Sequence, residues 1–357
     1  MIKATRSYAG WVGGLFLLLL LSHAAVAQLR PVNTYSIVAR DAATGEIGVA
    51  VQSHWFGVGQ IVPWAEAGVG AVATQSFVDP AYGQLGIELL RTGKSAPDSL
   101  RGLLMTDAAC EVRQVAIIDA TGSVATFTGA RDIEAAGGIA GGSATVSEVK
   151  CGSAGGALTV GKDFAVQANL MANDTVWPAM DKAFRETTGD LAERMLAALD
   201  AAQAAGGDIR GKQSAALIVV KAKASGRRWN DERFNLRVDD APDPLAELRR
   251  LVAVQRAYNH MNAGDLAVEH KDNESALREY AAAEKIASTT PGIPPSRHAE
   301  MIYWHAVSLV NMKRIDEALP LFAKVFRMEP SWRTLTPRLV KSGLLPEDAV
   351  QRIMNAR

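Results

Sequence analysis

Runs of β-prone apolar residues, each bounded by turn residues, fill the first two thirds of the chain. Several come in pairs across a short polar connection, which is the pattern of a β-hairpin. A run with no partner beside it is apolar throughout and predicts a buried strand. The predicted strands are residues 35–39, 47–52, 59–63, 69–74, 112–119, 123–129, 164–170, 214–221 and 232–238.

Helical periodicity appears between these strand sets, always as two successive helices. Pro80 introduces the first helix, over 81–91, and Ser95 is placed to cap the second. A second pair is predicted over 174–187 and 190–205. Paired helices between antiparallel strand sets do not build a parallel βαβ sheet. They predict an α+β fold in which two stacked sheets are covered on both sides by helices, a four-layer αββα sandwich.

The pattern changes to helix alone after Pro242 and Pro244. Two segments of this region align at the same spacings of 12, 4 and 3 residues, which are the small and aromatic positions of a tetratricopeptide helix pair. These positions are Gly264, Ala276, Tyr280 and Ala283 in the first segment, and Ala306, Ala318, Phe322 and Val325 in the second. We therefore predict a tetratricopeptide-like helical domain over 243–357.

Length and charge bound the class of protein. The 357 residues suffice for two domains, and 38 basic residues balance 38 acidic ones. A protein without net charge has no global field that would attract nucleic acid or anionic lipid, so a charge-driven binder is excluded.

The first residues have the pattern of a secretory signal. Lys3 and Arg6 precede the apolar stretch 15–21, and Ala25-Val26-Ala27 follows as a small-x-small cleavage site. We expect residues 1–27 to be removed, the first domain to cover 28–240, and the protein to be periplasmic or secreted, with no stable membrane anchor after cleavage.

An oxidising compartment makes the two cysteines a possible pair. Cys110 precedes the hairpin 112–129, which returns the chain towards it. If the glycine-rich segment 130–150 only loops out, Cys151 can bond to Cys110. Two free buried thiols remain the alternative.

Several segments resemble one known family in the same order along the chain. They include residues 34–41 and 45–51, Gly68 to Gln75 with Pro80-x-Tyr82-Gly83, Arg113-Gln114-Val115, residues 165–169 and residues 206–216. The chain is thereby similar to the domain of unknown function 1028 family over about 34–240. The resemblance implies the fold of the N-terminal-nucleophile (Ntn) hydrolases, in agreement with the αββα order. Where the family has Cys-x-x-Trp-Ala-Gly, this chain has Cys151-Gly152-Ser153-Ala154-Gly155 and lacks the tryptophan.

The resemblance also implies a chemistry. An Ntn hydrolase uses the side chain of its first residue as nucleophile and the α-amine of that residue as base. Thr34 occupies this position, immediately before the first strand and near Ser36, Arg40 and Asp41. Its amine becomes free only if the bond between Asn33 and Thr34 is cut. The alternative is that Thr34 only starts the strand, and that Asp41 only shapes the following turn.

Polar residues in or at the ends of apolar strands complete the candidate site, because such residues need buried hydrogen-bond partners. Asn169 is the best candidate for an oxyanion donor. A structural polar network between the sheets is the competing interpretation for Gln75 and Gln213. The predicted catalytic set is Thr34, Ser36, Asp41, Gln75, Asn169, Arg210 and Ser214.

No sequence motif for a metal, a cofactor or an α/β-hydrolase triad occurs. The leading hypothesis is an exported Ntn-type hydrolase of small amide or peptide-like substrates. Its rival is a non-catalytic envelope binding or scaffold protein. In either case we expect the helical repeats to bind a protein partner or to form a homodimer, with Tyr303, Trp304 and Phe326 as candidates for the exposed apolar surface. Packing of these three on the first domain or on the tail 332–357 is the alternative.

Overall fold

The computed structural model describes residues 31–32 and 34–355. The predicted signal sequence, 1–27, lies outside the described residues, as does Asn33. The described residues belong to one compact unit. No helix in the described part of the chain has the length and apolarity needed to span a membrane.

Two six-stranded antiparallel sheets form the centre of this unit. The first sheet has the strand order β12-β11-β2-β1-β10-β7, and the second has the order β3-β4-β5-β6-β9-β8. The strands are β1 (Thr34–Arg40), β2 (Ile47–Ser53), β3 (Pro63–Glu66), β4 (Gly70–Ser76), β5 (Arg113–Asp119), β6 (Ser123–Gly129), β7 (Gly137–Ala140), β8 (Thr145–Val149), β9 (Gly156–Lys162), β10 (Phe164–Ala168), β11 (Ser214–Val220) and β12 (Glu232–Val238).

Helices cover the outer face of each sheet, so the predicted four-layer αββα arrangement is confirmed. One pair packs on the second sheet and the other pair on the first sheet. The helices are α1 (Ala81–Arg91), α2 (Ala96–Thr106), α3 (Val176–Glu186), α4 (Leu191–Ala204), α5 (Arg228–Asp231), α6 (Pro244–Glu269), α7 (Asn273–Thr289), α8 (Pro295–Asn311), α9 (Ile315–Met328), α10 (Ser331–Leu335) and α11 (Glu347–Met354). The Ser95 side chain caps α2 by accepting a hydrogen bond from the amide of Asp98, as the sequence predicts.

Successive side chains along each strand point to opposite faces of the sheet. They form three apolar layers: one between the two sheets and one between each sheet and its helices. On β1, Tyr35, Ile37 and Ala39 face α3 and α4, whereas Val38 faces the second sheet. Each face of the first sheet is therefore buried, one against helices and the other against the second sheet.

Two parts of the sequence reading are wrong. The strand predicted over 59–63 is a short 3-10 turn over Val58–Gln60, and the strand starts at Pro63. The glycine-rich segment after Gly129 does not loop out. It forms β7 and β8, and the chain then continues into β9, which the sequence reading also missed. Glycine-rich strands lack the apolar alternation from which a strand is recognised, and here the neighbouring strands supply the pairing.

The region from Asp243 onwards is all helical. The Asp243 side chain caps α6 by accepting from the amide of Ala246. A Cβ at Gly264 would lie 2.6 Å from the ring of Tyr280, so the glycine allows α6 and α7 to approach closely. The assignment of these helices to the tetratricopeptide repeat stays a prediction.

Two of the three candidates for an exposed apolar surface are buried, whereas Trp304 is half-buried. Tyr303 is completely buried and Phe326 is 8% exposed, and the Tyr303 ring lies 4.4 Å from that of Trp332. These side chains pack within the helical region and on the segment that follows α9, which is the alternative that the sequence left open.

Helix α6 also packs on the sandwich. Leu248 and Val252 belong to the apolar layer over the first sheet. Arg249 bonds to Glu193 and to Asp200, both on α4. The division into domains at 240–243 stays a prediction.

Candidate functional site

Thr34 is the first residue of β1 and lies in a central strand of its sheet. Its side chain is completely buried. Its hydroxyl is within hydrogen-bond distance of two oxygens, the Val32 carbonyl at 3.0 Å and Oγ of Ser53 at 3.2 Å. Ser53 stands opposite Thr34 on β2 and was not among the predicted site residues.

Val32, two positions before Thr34, is held by backbone hydrogen bonds. Val32 donates its amide hydrogen to the carbonyl of Ser76 over 2.6 Å and accepts the Ser76 amide hydrogen over 2.9 Å. Val32 is itself completely buried. The two residues form an antiparallel bridge beside the Thr34 hydroxyl, so this hydroxyl is closed off from solvent.

A seam of hydrogen-bonded amide side chains runs between the two sheets from Thr34 inwards. Gln75 connects it to Thr34, because its Nε2 donates to the Thr34 carbonyl over 3.0 Å and its Oε1 accepts from Ser36 over 2.7 Å. Gln75 also donates to Gln114 over 2.7 Å. Gln167 donates to the Ser36 hydroxyl over 3.2 Å. We call Ser36, Gln75, Gln114, Gln167 and Asn169 the polar seam. Of the predicted set, the structure brings Ser36, Gln75 and Asn169 together, and it adds Gln114 and Gln167, which sequence reasoning did not name as site residues.

Gln114 is the hub of the polar seam. Its Oε1 accepts from Gln75 and, over 3.0 Å, from Nδ2 of Asn169. Its Nε2 donates to the carbonyl of Ala168 over 2.9 Å and to the Thr128 hydroxyl over 3.0 Å. The signal that could have found it is the one that found Gln75, a single amide in an otherwise apolar strand.

Asn169 joins the seam to Thr34 through its backbone. Its amide donates to the Thr34 carbonyl over 3.1 Å. Its side chain is completely buried, and its Oδ1 has no hydrogen-bond partner among the described residues. A buried amide oxygen without a partner is costly. The Oδ1 of Asn169 is therefore an unsatisfied hydrogen-bond acceptor, in a residue whose backbone is hydrogen-bonded to Thr34.

Asp132 is a carboxyl group at this end of the sandwich that sequence reasoning missed. Its Oδ1 accepts hydrogen bonds from the Ser76 hydroxyl and the Ile133 amide. Its Oδ2 is enclosed and has no partner among the described residues. Burial raises the pKa of Asp132 to about 7, against the opposing effect of the two hydrogen bonds. Asp132 can therefore exchange a proton near neutral pH beside the bridge between Ser76 and Val32.

The backbone is strained around the same point. Three residues other than glycine adopt positive φ here: Ser76 at 69°, Ala135 at 57° and Leu170 at 53°. Ser76 pairs with Val32, Leu170 follows Asn169, and the Ala135 carbonyl accepts from the amide of Met171. Such conformations cost free energy and concentrate at functional sites. Their convergence on the start of β1 marks this end as the candidate site.

Ser214 and Arg210 lie at the same end but serve neighbouring loops. Ser214 stands next to Ser53 on β11, and its hydroxyl donates to the Trp55 carbonyl and accepts from the Val58 amide. Arg210 donates to both carboxylate oxygens of Asp208, which also accepts from the His54 amide. These contacts tie the loop after β2 to the loop before β11.

Asp41 does not belong to this site. It follows the last residue of β1, so it lies about 20 Å from Thr34 along the strand. Its carboxylate accepts from the amides of Ala43 and Thr44 and pairs with Arg194. Thr34 and Asp41 are close in sequence, but an extended strand places its two ends far apart.

Gln213, for which a structural role was the competing interpretation, donates to Asp240 instead of joining the seam.

A disulfide fastens the segment that forms one wall of the site. Cys110 and Cys151 are bonded, with their Cα atoms 5.9 Å apart. Asp132 and Gly137, whose carbonyl accepts from Gln114 over 3.3 Å, both lie between the two cysteines. Beside the bond, Glu111 accepts from the Ser153 hydroxyl over 3.0 Å. The bond restricts the segment that bears Asp132.

Among the residues that the structure describes, no group of three or more His, Cys, Asp or Glu side chains could hold a metal ion.

Comparison with known families matches the sandwich. The model of the family of unknown function DUF1028 matches residues 34–148 and 138–248. The chain belongs to this family. The matches begin at Thr34, and they end within α6.

A solved structure of a DUF1028 protein is similar to this chain. It is a crystal structure of a protein from Silicibacter pomeroyi, 28% identical, covering 66% of this chain and 89% of that one with a TM-score of 0.49. No curated protein matches the chain.

Proposed function

We propose that this DUF1028 protein is an exported Ntn-type hydrolase of small amide or peptide-like bonds, with Thr34 as nucleophile. The observation that carries the proposal is the position of the Thr34 hydroxyl. The hydroxyl lies beside Ser53, and the carbonyl of the same residue accepts from the Asn169 amide, at the end of the polar seam where backbone strain also converges. The Cys110–Cys151 disulfide is compatible with export to an oxidising compartment.

The reaction needs a chain that begins at Thr34. The free α-amine accepts the hydroxyl proton as Oγ1 attacks the substrate carbonyl, and this proton passes to the amine that leaves. Water then hydrolyses the ester on Oγ1. Nδ2 of Asn169 has a second N–H besides the one given to Gln114, and we assign it to the oxyanion.

The rival proposal is a binding or scaffold protein without catalysis. The bridge between Val32 and Ser76 favours it, because this bridge closes the Thr34 hydroxyl as long as the preceding chain is attached. In that case the role of the protein is docking, and its all-helical region binds a protein partner or a second copy of the chain. Light scattering on the whole protein and on a chain that ends at Asp240 tests the homodimer.

The nature of the N-terminus discriminates the two proposals. Intact-mass measurement of protein from the native compartment should give a chain that begins at Thr34 if the enzyme proposal is right. A chain beginning upstream leaves no catalytic amine and supports the binding protein.

Direct labelling tests the nucleophile. We would release a chain beginning at Thr34 from a cleavable fusion and treat it with an electrophilic β-lactone, followed by peptide mapping. Acylation is expected at Thr34, retained in Thr34→Ser and lost in Thr34→Val, which keeps the shape but not the hydroxyl. Equal labelling of Thr34→Val, or no labelling of a correctly folded chain, would remove Thr34 as nucleophile.

A further inference from the structure

A cleft separate from Thr34 lies where the edges of the two sheets meet. Strand β12 is the last strand of the first sheet, and β3 is the last of the second sheet. The cleft has a volume of about 520 Å³ and opens between them. Neither Thr34 nor any member of the polar seam lines it. A ligand site in this cleft therefore does not depend on whether Thr34 is a nucleophile.

The wall of the cleft is largely apolar and rigidly held. Trp64 on β3 provides an aromatic face, with Ile218 and Val220 of β11 beside it. A Cβ at Gly83 would lie 2.1 Å from the Trp64 indole, so the ring rests directly on the backbone of α1. The indole Nε1 donates to the Ile61 carbonyl over 3.1 Å. The ring is fixed by packing on one side and by this hydrogen bond at its edge.

One positive charge in the wall has no counter-charge. Arg237 on β12 lines the cleft and makes no hydrogen bond or ion pair with any other residue that the structure describes. Its aliphatic stem is nevertheless seated, because a Cβ at Gly59 would lie 2.6 Å from Cγ and Cδ of Arg237. The guanidinium beyond this stem is exposed, and no described residue accepts a hydrogen bond from it.

The acidic groups of the wall are already engaged. Glu66 pairs with Arg91, and Glu232 pairs with Arg228. The Asp231 carboxylate accepts from the Ser225 amide, and Glu88 accepts from the amide side chain of Gln84. Among the arginines of the described wall, Arg237 is thus the one without an acidic partner.

We propose that this cleft binds a small carboxylate with an apolar body. The carboxylate would accept two hydrogen bonds from Arg237, since a guanidinium presents a planar pair of donors. The apolar part would lie against Trp64 and Ile218. A cleft of this size that combines apolar surface with a polar anchor is the usual form of a small-molecule site.

The test uses N-benzoylglycine and its neutral primary amide as a matched pair. Binding to the full-length protein is measured by calorimetry and by ¹⁹F NMR of protein labelled with 5-fluorotryptophan. The carboxylate should bind at least tenfold more tightly than the amide, and it should shift the Trp64 resonance but not that of Trp304. The Trp64 resonance is assigned with Trp64→Phe.

Arg237→Gln keeps the stem and removes the charge, and it should weaken binding of the carboxylate about tenfold or more. Arg101→Gln, on the exposed face of α2, is the control and should leave affinity unchanged. Equal binding of acid and amide, an unchanged affinity of Arg237→Gln, or no binding by a panel of aromatic and aliphatic carboxylates at millimolar concentration would each overturn the proposal.

Discussion

The space between the two sheets has a polar half and an apolar half, and the same strands contribute to both. On β5 the side chains facing the first sheet are Gln114 in the polar half and Ala116 and Ile118 in the apolar half. On β1 they change from Ser36 to Val38. All five side chains are completely buried.

The contrast between the two halves indicates the role of the polar half. An apolar interior between two sheets needs no hydrogen bonds, and replacing a buried polar pair by apolar groups of the same shape is often neutral or stabilising. Apolar side chains in the place of this seam of amides, which leaves the Asn169 oxygen without a partner, would stabilise the protein about as well. It fixes donors and acceptors beside Thr34, and this favours a functional site at that end. Four experiments can break or sharpen this comparison.

The largest effect is expected from removal of the disulfide, which restrains the wall of the polar half. The bond closes a segment with a sequence separation of 41. The double variant Cys110→Ala, Cys151→Ala should lose about 4 kcal/mol of unfolding free energy by chain-entropy arithmetic. Urea denaturation measures the loss. Hydrogen exchange should speed up first over residues 130–155 and not at Val38 or Ile118. Uniform acceleration in both halves would refute a local role of the bond.

Replacing the hub of the polar seam should come next. Gln114→Leu keeps the volume but removes the hydrogen bonds that Gln114 makes with Gln75, with Asn169 and with the Ala168 carbonyl. At about 1 kcal/mol or more for each group, the loss should be about 3 kcal/mol by urea denaturation. The control Gln351→Leu, on an exposed helix face, should change stability by less than about 0.5 kcal/mol. A stability of Gln114→Leu equal to that of the parent would show that the seam is dispensable.

A conservative change in the apolar half should have a smaller effect. Ile118→Val removes one methylene from a fully buried side chain and should cost about 1 kcal/mol. The same variant should leave labelling of Thr34 unchanged in the chain that begins there. If Ile118→Val reduced labelling while the protein stayed folded, the two halves would not be independent.

The fourth effect concerns pH. The pKa of Asp132 is raised to about 7, so the folded protein holds this proton more tightly than the unfolded chain does. Asp132 therefore adds stability below about pH 4 that is lost as the pH rises through 7. Asp132→Asn cannot ionise, and its unfolding free energy should fall less than that of the parent between pH 5 and pH 8. Parallel pH profiles of the two proteins would show that Asp132 titrates normally.

The sequence alone determined the elements and their layers. Alternating apolar residues and turn chemistry predict the hairpin of β1 and β2, and the Ser95 cap marks the start of α2 to the residue. These signals are local, because strand periodicity and capping depend on neighbours within a few positions. They failed where the local pattern is weak. Glycine-rich β7 and the short, mostly exposed β8 form because β10 and β9 offer their edges, which no short window of sequence records.

Only the tertiary structure decided which polar residues meet. Sequence proximity grouped Thr34 with Asp41, but the extended strand separates them, whereas Asp132 reaches Ser76 across 56 positions. The bridge between Val32 and Ser76 and the hub at Gln114 likewise depend on how the strands of two sheets are aligned and stacked. Sequence patterning specifies which side chains must be buried, since burial of apolar area drives folding. Which buried polar groups then become partners is settled by long-range alignment, because a hydrogen bond requires its two atoms within about 3 Å.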